Sequence, residues 1–250
     1  MKISEIKQKL NDNPSPEFVK ELENDQRKGV QVAIQQFYKR QMKIKKQRIE
    51  FEKRFHFEKE FWDQGIDLVA GIDEVGRGPL AGPVVSAAVI LPHDFDLVEV
   101  NDSKQLSDKK RKNLYPLILE KAIAVGIGVA DNKLIDEINI YQATKVAMKE
   151  ALLNLNTLPQ QLIIDAMEID TSIPQLKLIK GDAKSISVSA ASIVAKEYRD
   201  NLMIEYDKKY PGYDFANNVG YGTKKHLEGL KTLGVTPIHR KTFEPVAKFY

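Results

Sequence analysis

Two acidic residues, Asp73 and Glu74, sit near the end of the apolar run LVAGIDEV. Burying adjacent carboxylates is costly unless something compensates the charge. Neighbouring strand residues point to opposite faces, so both serve one site only near a strand end or across a twisted edge. Asp165 ends a second apolar run, Leu162 to Ile164, and Asp182 follows Lys180-Gly181 at the start of a helical stretch. Each has an ordinary alternative: an exposed strand end for the first two, a turn residue for Asp165, an N-cap for Asp182. Taken together, four carboxylates lie at strand ends or a helix start in a chain with no cysteine and four histidines. That donor set suits a hard cation, Mg²⁺ or Mn²⁺. Without a cation the carboxylates would repel and some would protonate. Two ions about 3.5–4 Å apart would offset the repulsion and support hydrolysis of a phosphodiester. One would activate water and the other would stabilise the leaving 3′-oxygen.

Directly after the acidic pair comes Gly76-Arg77-Gly78. Glycines let backbone amides approach a phosphate or sugar, and arginine offers a planar donor fork. A dinucleotide-binding loop fails the test of context, because the glycines at 76, 78 and 82 lead into a strand and not a helix. A plain Gly/Pro loop is the alternative.

These residues need a scaffold. LVAGIDEV (68–75) and PVVSAAVIL (83–91) read as two buried strands joined by a seven-residue loop, a hairpin. AIAVGIGVA (122–130), QLIID (161–165) and LKLIK (176–180) read as three more strands. Helices are expected from Ser107, over Ile140 to Leu155, from Asp182 to about Tyr206, and after Gly222. The expected fold class is α/β, a mixed sheet flanked by helices.

The N-terminal third has a different texture. Residues 1–66 carry 15 Lys/Arg against 11 Asp/Glu, net +4, and the remainder nets −1. Eight cations lie between Lys39 and Arg54, and neither Gly nor Pro occurs from Val30 to Gln64. A helix capped at Asn24 or Asp25 is expected there, with a shorter one after Ser15-Pro16. The domain reading is therefore a helical basic extension, 1–66, and a catalytic domain, 67–250. The basic run is either a solvated face packed on the main domain or a nucleic-acid arm.

The 250 residues are 42% hydrophobic and 29% charged. Absence of cysteine rules out disulfides, zinc–thiolate sites and thiol nucleophiles. The charged start has no apolar signal-peptide region, and no apolar stretch is long enough to span a bilayer. A cytoplasmic protein with no membrane partner is expected.

GIDEVGRGPLAGPVVSAAVIL (71–91) closely resembles the signature of the ribonuclease HII family, type 2 ribonuclease H. DSKQLS (102–107), IIDA (163–166), GDAKSISVSAASIVAKEYRD (181–200), YPGYDF (210–215), GYGTKKH (220–226) and IHRKTF (238–243) agree with it. The resemblance covers roughly residues 68–246 and leaves 1–66 aside. It implies a ribonuclease H-like fold and a monomeric endoribonuclease using Mg²⁺ or Mn²⁺. The implied partners are RNA–DNA hybrids and duplex DNA containing ribonucleotides. Cleavage would fall on the RNA strand of a hybrid, or 5′ to an embedded ribonucleotide, leaving a 3′-hydroxyl and a 5′-phosphate. Asp73, Glu74, Asp165 and Asp182 map onto the metal-binding catalytic carboxylates. Gly76, Arg77 and Gly78 map onto the element that contacts the 2′-hydroxyl and flanking phosphates, the group that distinguishes RNA from DNA. Tyr221 maps onto the junction-sensing tyrosine; by its residue type alone it reads as a packed loop aromatic. Lys104 is expected to contact phosphate, as are Lys184 and Ser185 near a helix N-terminus. His226, His239 and Arg240 match family motifs without an assigned step. Ala166 stands where many relatives have glycine.

Overall fold

The computed structural model describes residues 1–250. Five strands form one sheet: β1 (Val69–Val75), β2 (Val84–Ile90), β3 (Ala124–Ala130), β4 (Gln161–Asp165) and β5 (Gln175–Leu178). Their order is β3-β2-β1-β4-β5. β1 and β2 are an antiparallel hairpin with Glu74 opposite Ser86, and β3 pairs antiparallel with β2. β4 runs parallel to β1 with Ile72 beside Ile164, and β5 runs parallel to β4. β2 is buried at every position, which is why it reads as an unbroken apolar run, while β3 alternates.

Ten helices accompany the sheet: α1 (Ile3–Asn11), α2 (Pro16–Glu23), α3 (Lys28–Arg54), α4 (His56–Trp62), α5 (Asp108–Lys121), α6 (Asn132–Leu153), α7 (Gly181–Lys184), α8 (Ile186–Lys209), α9 (Phe215–Asn218) and α10 (Lys224–Leu233). On one face Ala70, Ile72, Leu162 and Ile164 pack against Met148, Ala151 and Leu152 of α6. On the other, Val69, Ile163 and Leu178 meet Val188 of α8 and Phe57, Phe61 and Trp62 of α4. Burying one such aliphatic side chain stabilises by about 1.5–3 kcal/mol. Gly71 lets α8 close on β1, since a Cβ there would lie 2.2 Å from the Ser187 carbonyl carbon.

The chain divides into two compact units, Met1–Glu52 and Lys53–Tyr250. The first holds its own core, in which Ile6 and Leu10 of α1, Val19 and Leu22 of α2, and Val30, Ile34 and Phe37 of α3 pack together. From Tyr38 to Glu50, α3 is exposed at every position except Gln47. The division falls fourteen residues before the boundary expected at 66/67, because α4 packs on the sheet and belongs to the second unit.

Local departures from expectation have local causes. The basic helix starts at Lys28 and not at a cap on Asn24 or Asp25; Asp25 instead accepts from the Arg27 backbone N–H and guanidinium. It breaks at Phe55, before α4. α6 begins eight residues early, with a kink at Asn139, whose φ is +68°. The helix expected from Asp182 is two helices, because Ser185 leaves the helical conformation and caps α8 by accepting from Val188 N–H. No helix of the chain is long and apolar enough to cross a membrane.

Candidate active site

Asp73 lies on the α8 face of β1, two residues after Gly71, and is 4% exposed. Burial, with the Glu74 charge next, pushes its carboxyl well above the usual range, against a hydrogen bond from the Ser192 hydroxyl. Glu74 is next along the strand. Burial raises it too, and Arg77 opposes by donating to Oε1 at 3.2 Å. Its Oε2 is buried with no hydrogen-bond partner. That oxygen has acceptor capacity to spare at a strand end.

Asp165 lies one residue past the last β1–β4 pair, Ile72 beside Ile164, so the parallel register brings it toward Asp73. Its Oδ1 accepts from Gly181 N–H at 2.8 Å, which ties β4 to α7. Asp182 is 5% exposed and sits in α7. Its carboxyl is raised by burial and by Asp102, and lowered by the Lys104 ammonium 3.2 Å away. Burial acts to lower Lys104, but Asp182, Asp73 and Asp102 outweigh it and its net shift is upward. No three acidic or histidine side chains converge into a ready coordination shell. The carboxylates turn instead to Arg77, Lys104 and the Gly181 amide. The all-oxygen donor set, the mutual repulsion and the orphaned Glu74 oxygen nonetheless fit a hard divalent cation.

The loop between β1 and β2 is pinned from below by two fully buried arginines. Arg240 donates to the carbonyls of Gly76, Arg77 and Gly82 at 2.5, 2.9 and 3.0 Å. Arg199, on α8, donates to those of Ala81, Pro83 and Val219 at 3.1, 2.9 and 2.8 Å. Arg77 and Gly78 are left exposed above them. Tyr221 is 48% exposed, and a Cβ on Gly78 would lie 3.3 Å from its ring. So Arg77, Gly78 and Tyr221 share one surface, with Gly76 buried beneath it. Neither arginine was singled out by residue type; charged side chains inside apolar surroundings become legible only with their carbonyl partners.

A histidine relay supports the same surface. Thr236 N–H donates to His239 Nδ1 at 2.8 Å, and the two Nε2 atoms of His239 and His226 are 3.0 Å apart. His239 Nε2 therefore carries the proton and donates to His226, whose Nδ1–H donates to Tyr221 O at 2.9 Å. Burial lowers both rings, and the neighbouring His226 lowers His239 further, to about 4, which favours the neutral tautomers these hydrogen bonds require. They hold the Tyr221 turn, a role their motif membership alone did not specify.

Lys104 reaches the carboxylates, and Lys184 is exposed at the end of α7. Ser185 corrects its expected phosphate role. It is fully buried and its hydroxyl donates to Glu58 Oε1 at 2.5 Å, so it presents nothing to a ligand. Ala166 adopts φ +51°, the conformation that favours glycine, so the turn after Asp165 keeps a glycine-like shape without glycine.

A mixed five-stranded sheet with carboxylates at the ends of its central strands defines a ribonuclease H-type nuclease, a hydrolase. The comparisons agree. The family model described as ribonuclease HII matches residues 70–246, and the ribonuclease HII N-terminal domain matches residues 2–62. The chain belongs to the ribonuclease HII family. A ribonuclease HII of Ligilactobacillus salivarius is 63% identical over 246 residues, 98% of this chain and 96% of that one. One of Lactobacillus delbrueckii subsp. bulgaricus is 59% identical over 249 residues, 99% and 97% of the two chains. The crystal structure of ribonuclease H2 from Pyrococcus horikoshii superposes with TM-score 0.62 at 27% identity, over 72% of this chain and 96% of that one. The N-terminal stretch, which the motifs left aside, is thus itself part of the family pattern.

Proposed function

We propose that the chain is a metal-dependent endoribonuclease that hydrolyses the RNA strand of RNA–DNA hybrids and nicks 5′ to a ribonucleotide embedded in duplex DNA, leaving a 3′-hydroxyl and a 5′-phosphate. The observation that carries this reading is one continuous arrangement. Buried Asp73 and its half-buried neighbour Glu74 run directly into a Gly-Arg-Gly loop held by Arg199 and Arg240 against Tyr221. Asp73, Glu74, Asp165 and Asp182 would hold Mg²⁺ or Mn²⁺, which supplies water activation and stabilises the leaving 3′-oxygen.

The remaining work falls to the chain. The exposed Arg77 guanidinium and the backbone of Arg77 and Gly78, set by the Gly76 turn beneath them, meet the 2′-hydroxyl and its flanking phosphates. Tyr221 packs on the sugar that follows, where a deoxyribose marks the junction. Lys104 and Lys184 meet phosphate oxygens. Engagement of Lys104 by phosphate frees Asp182 from its ion pair and makes that carboxylate available. The exposed cations of α3, Lys43, Lys45, Lys46 and Arg48, support a role for residues 1–66 as a basic helical extension that tracks the duplex backbone.

The test uses two labelled duplexes with Mg²⁺ and with Mn²⁺, one carrying a single ribonucleotide in DNA and the other an uninterrupted RNA–DNA hybrid. The expected result is a nick 5′ to the single ribonucleotide and multiple cuts in the hybrid. Cutting of the hybrid alone would keep the carboxylate centre and remove junction recognition by Tyr221.

A further inference from the structure

Glu58 is a glutamate at 1% exposure, on α4 and outside the carboxylate centre. Its Oε1 accepts three hydrogen bonds at the start of α8: from Ser185 Oγ at 2.5 Å, Ser187 Oγ at 2.6 Å and Ser187 N–H at 3.0 Å. Its Oε2 is buried without a partner. Hydrogen bonds to an ionised acceptor are about twice as strong as neutral ones, and a negative charge is favoured at a helix N-terminus. The hydrogen bonds act against the burial that pushes its carboxyl up, and the net shift is upward. A serine or asparagine of α8 could satisfy the same donors locally. Glu58 reaches in from a separate element, so it fixes where the first turn of α8 lies as well as capping it.

That turn is wired to the carboxylates. Ser189 Oγ donates to the backbone carbonyl of Asp182 at 2.7 Å and to that of Ser185 at 2.8 Å. Ser185 N–H donates to Gly181 O at 2.8 Å, and Gly181 N–H donates to Asp165 Oδ1 at 2.8 Å. Ser187 lies against Gly71, two residues before Asp73. Movement of Ser185 and Ser187 therefore reaches Asp182, Asp165 and the strand carrying Asp73. The donors at the start of α8 are also answered by an internal carboxyl group, so they are not left free for substrate phosphate.

We infer that Glu58 is a positioning residue that sets the spacing of Asp73, Asp165 and Asp182, and that α4 is thereby a working part of the metal centre. This rests on the reading of the four carboxylates as a divalent-metal site. A positioning role has a signature that simple stabilisation lacks: the folded protein binds metal more weakly.

Calorimetric titration of the full chain with Mn²⁺, with no substrate present, reads this directly. Glu58→Gln keeps the size of the side chain and one acceptor but replaces the carboxyl group by an amide. The expected result is Mn²⁺ binding weakened roughly tenfold, with the KM for a labelled hybrid unchanged at saturating metal. A lowered melting temperature with wild-type Mn²⁺ affinity would reduce Glu58 to a helix cap and overturn the inference. Should Glu58→Gln not fold, Ser187→Ala removes one of the three donors and leaves Glu58 in place. A several-fold weakening supports the role and unchanged affinity overturns it. Mn²⁺ binding by the wild type that Asp73→Asn abolishes is the control for the site. Its failure would strike the metal reading itself.

Discussion

A Cβ on residue 76 would lie 2.2 Å from Nε of Arg199. Gly76 also has φ +89°, a conformation that side chains rarely adopt. The glycine that begins the β1–β2 loop is therefore required by the arginine beneath it. Gly76→Ala adds backbone strain of order 1–3 kcal/mol and displaces a guanidinium that holds three carbonyls. Denaturant melts should show a loss of about 2 kcal/mol or more, with cleavage reduced at least tenfold under conditions where the variant is folded. A variant with the wild-type melt and wild-type cleavage would show that the loop does not depend on Arg199.

Tyr221 stands over Gly78 and is held by its own backbone carbonyl through His226. Its ring is half exposed and no hydrogen bond of its hydroxyl contributes to the fold. Tyr221→Ala should thus cost little stability. It should lower cleavage at a single embedded ribonucleotide on the order of ten times more than cleavage of a continuous hybrid, as expected for a ring that stacks on a sugar or base. Equal losses on both substrates would contradict a junction role.

The His226–His239 bond predicts a pH dependence. Both rings are neutral in the fold, and His239 is lowered to about 4 from an ordinary value near 6.5. Between those values the unfolded chain binds the additional proton, so stability is present above about pH 6.5 and is lost as pH falls toward 4. Protonation of His226 would also set two N–H groups against each other across the 3.0 Å separation. The expected loss is on the order of 2 kcal/mol over that range, followed by thermal melts. His239→Gln should flatten the dependence. An undiminished slope in that variant would assign it to other groups.

The exposed stretch of α3 separates its two readings by salt. If Lys43, Lys45 and Lys46 meet phosphates, replacing all three by Gln weakens hybrid binding. The slope of log affinity against log salt then falls by about one for each phosphate no longer neutralised. An unchanged slope would leave the run as a solvated helix surface. The substitution touches no buried residue, so the melt should not move.

Much of this was legible in the residues. The strands β1 to β4 coincide with apolar runs bounded by glycine, proline or charge, and the hairpin follows from two such runs around GRGPLAG. Four carboxylates stood out because Asp73, Glu74 and Asp165 interrupt or end an apolar run and Asp182 opens a helix. What was hidden depended on partners distant in sequence. The break at Ser185 needs Glu58, 127 residues away, to compensate it. α4 reads as a continuation of the basic helix until Phe57, Phe61 and Trp62 are seen against β1, β4 and α8. Arg199 and Arg240 lie in quoted motifs but acquire a role only when six carbonyls are found around them. Polar residues whose role is to hold backbone carry no periodicity, so pattern alone does not reveal them.

The central claim is that the buried carboxylates perform the cleavage, and Asp73 tests it most directly. Asp73→Asn preserves shape and removes one charge from a group that burial and Glu74 already disfavour, so the variant should be at least as stable as the wild type. Cleavage and binding of a labelled RNA–DNA hybrid should be measured side by side in Mg²⁺ and Mn²⁺. The account predicts cleavage reduced by roughly a thousandfold or more, a loss of at least about 4 kcal/mol of transition-state stabilisation, with binding largely intact. Cleavage within a few-fold of wild type at ordinary metal concentrations would contradict it.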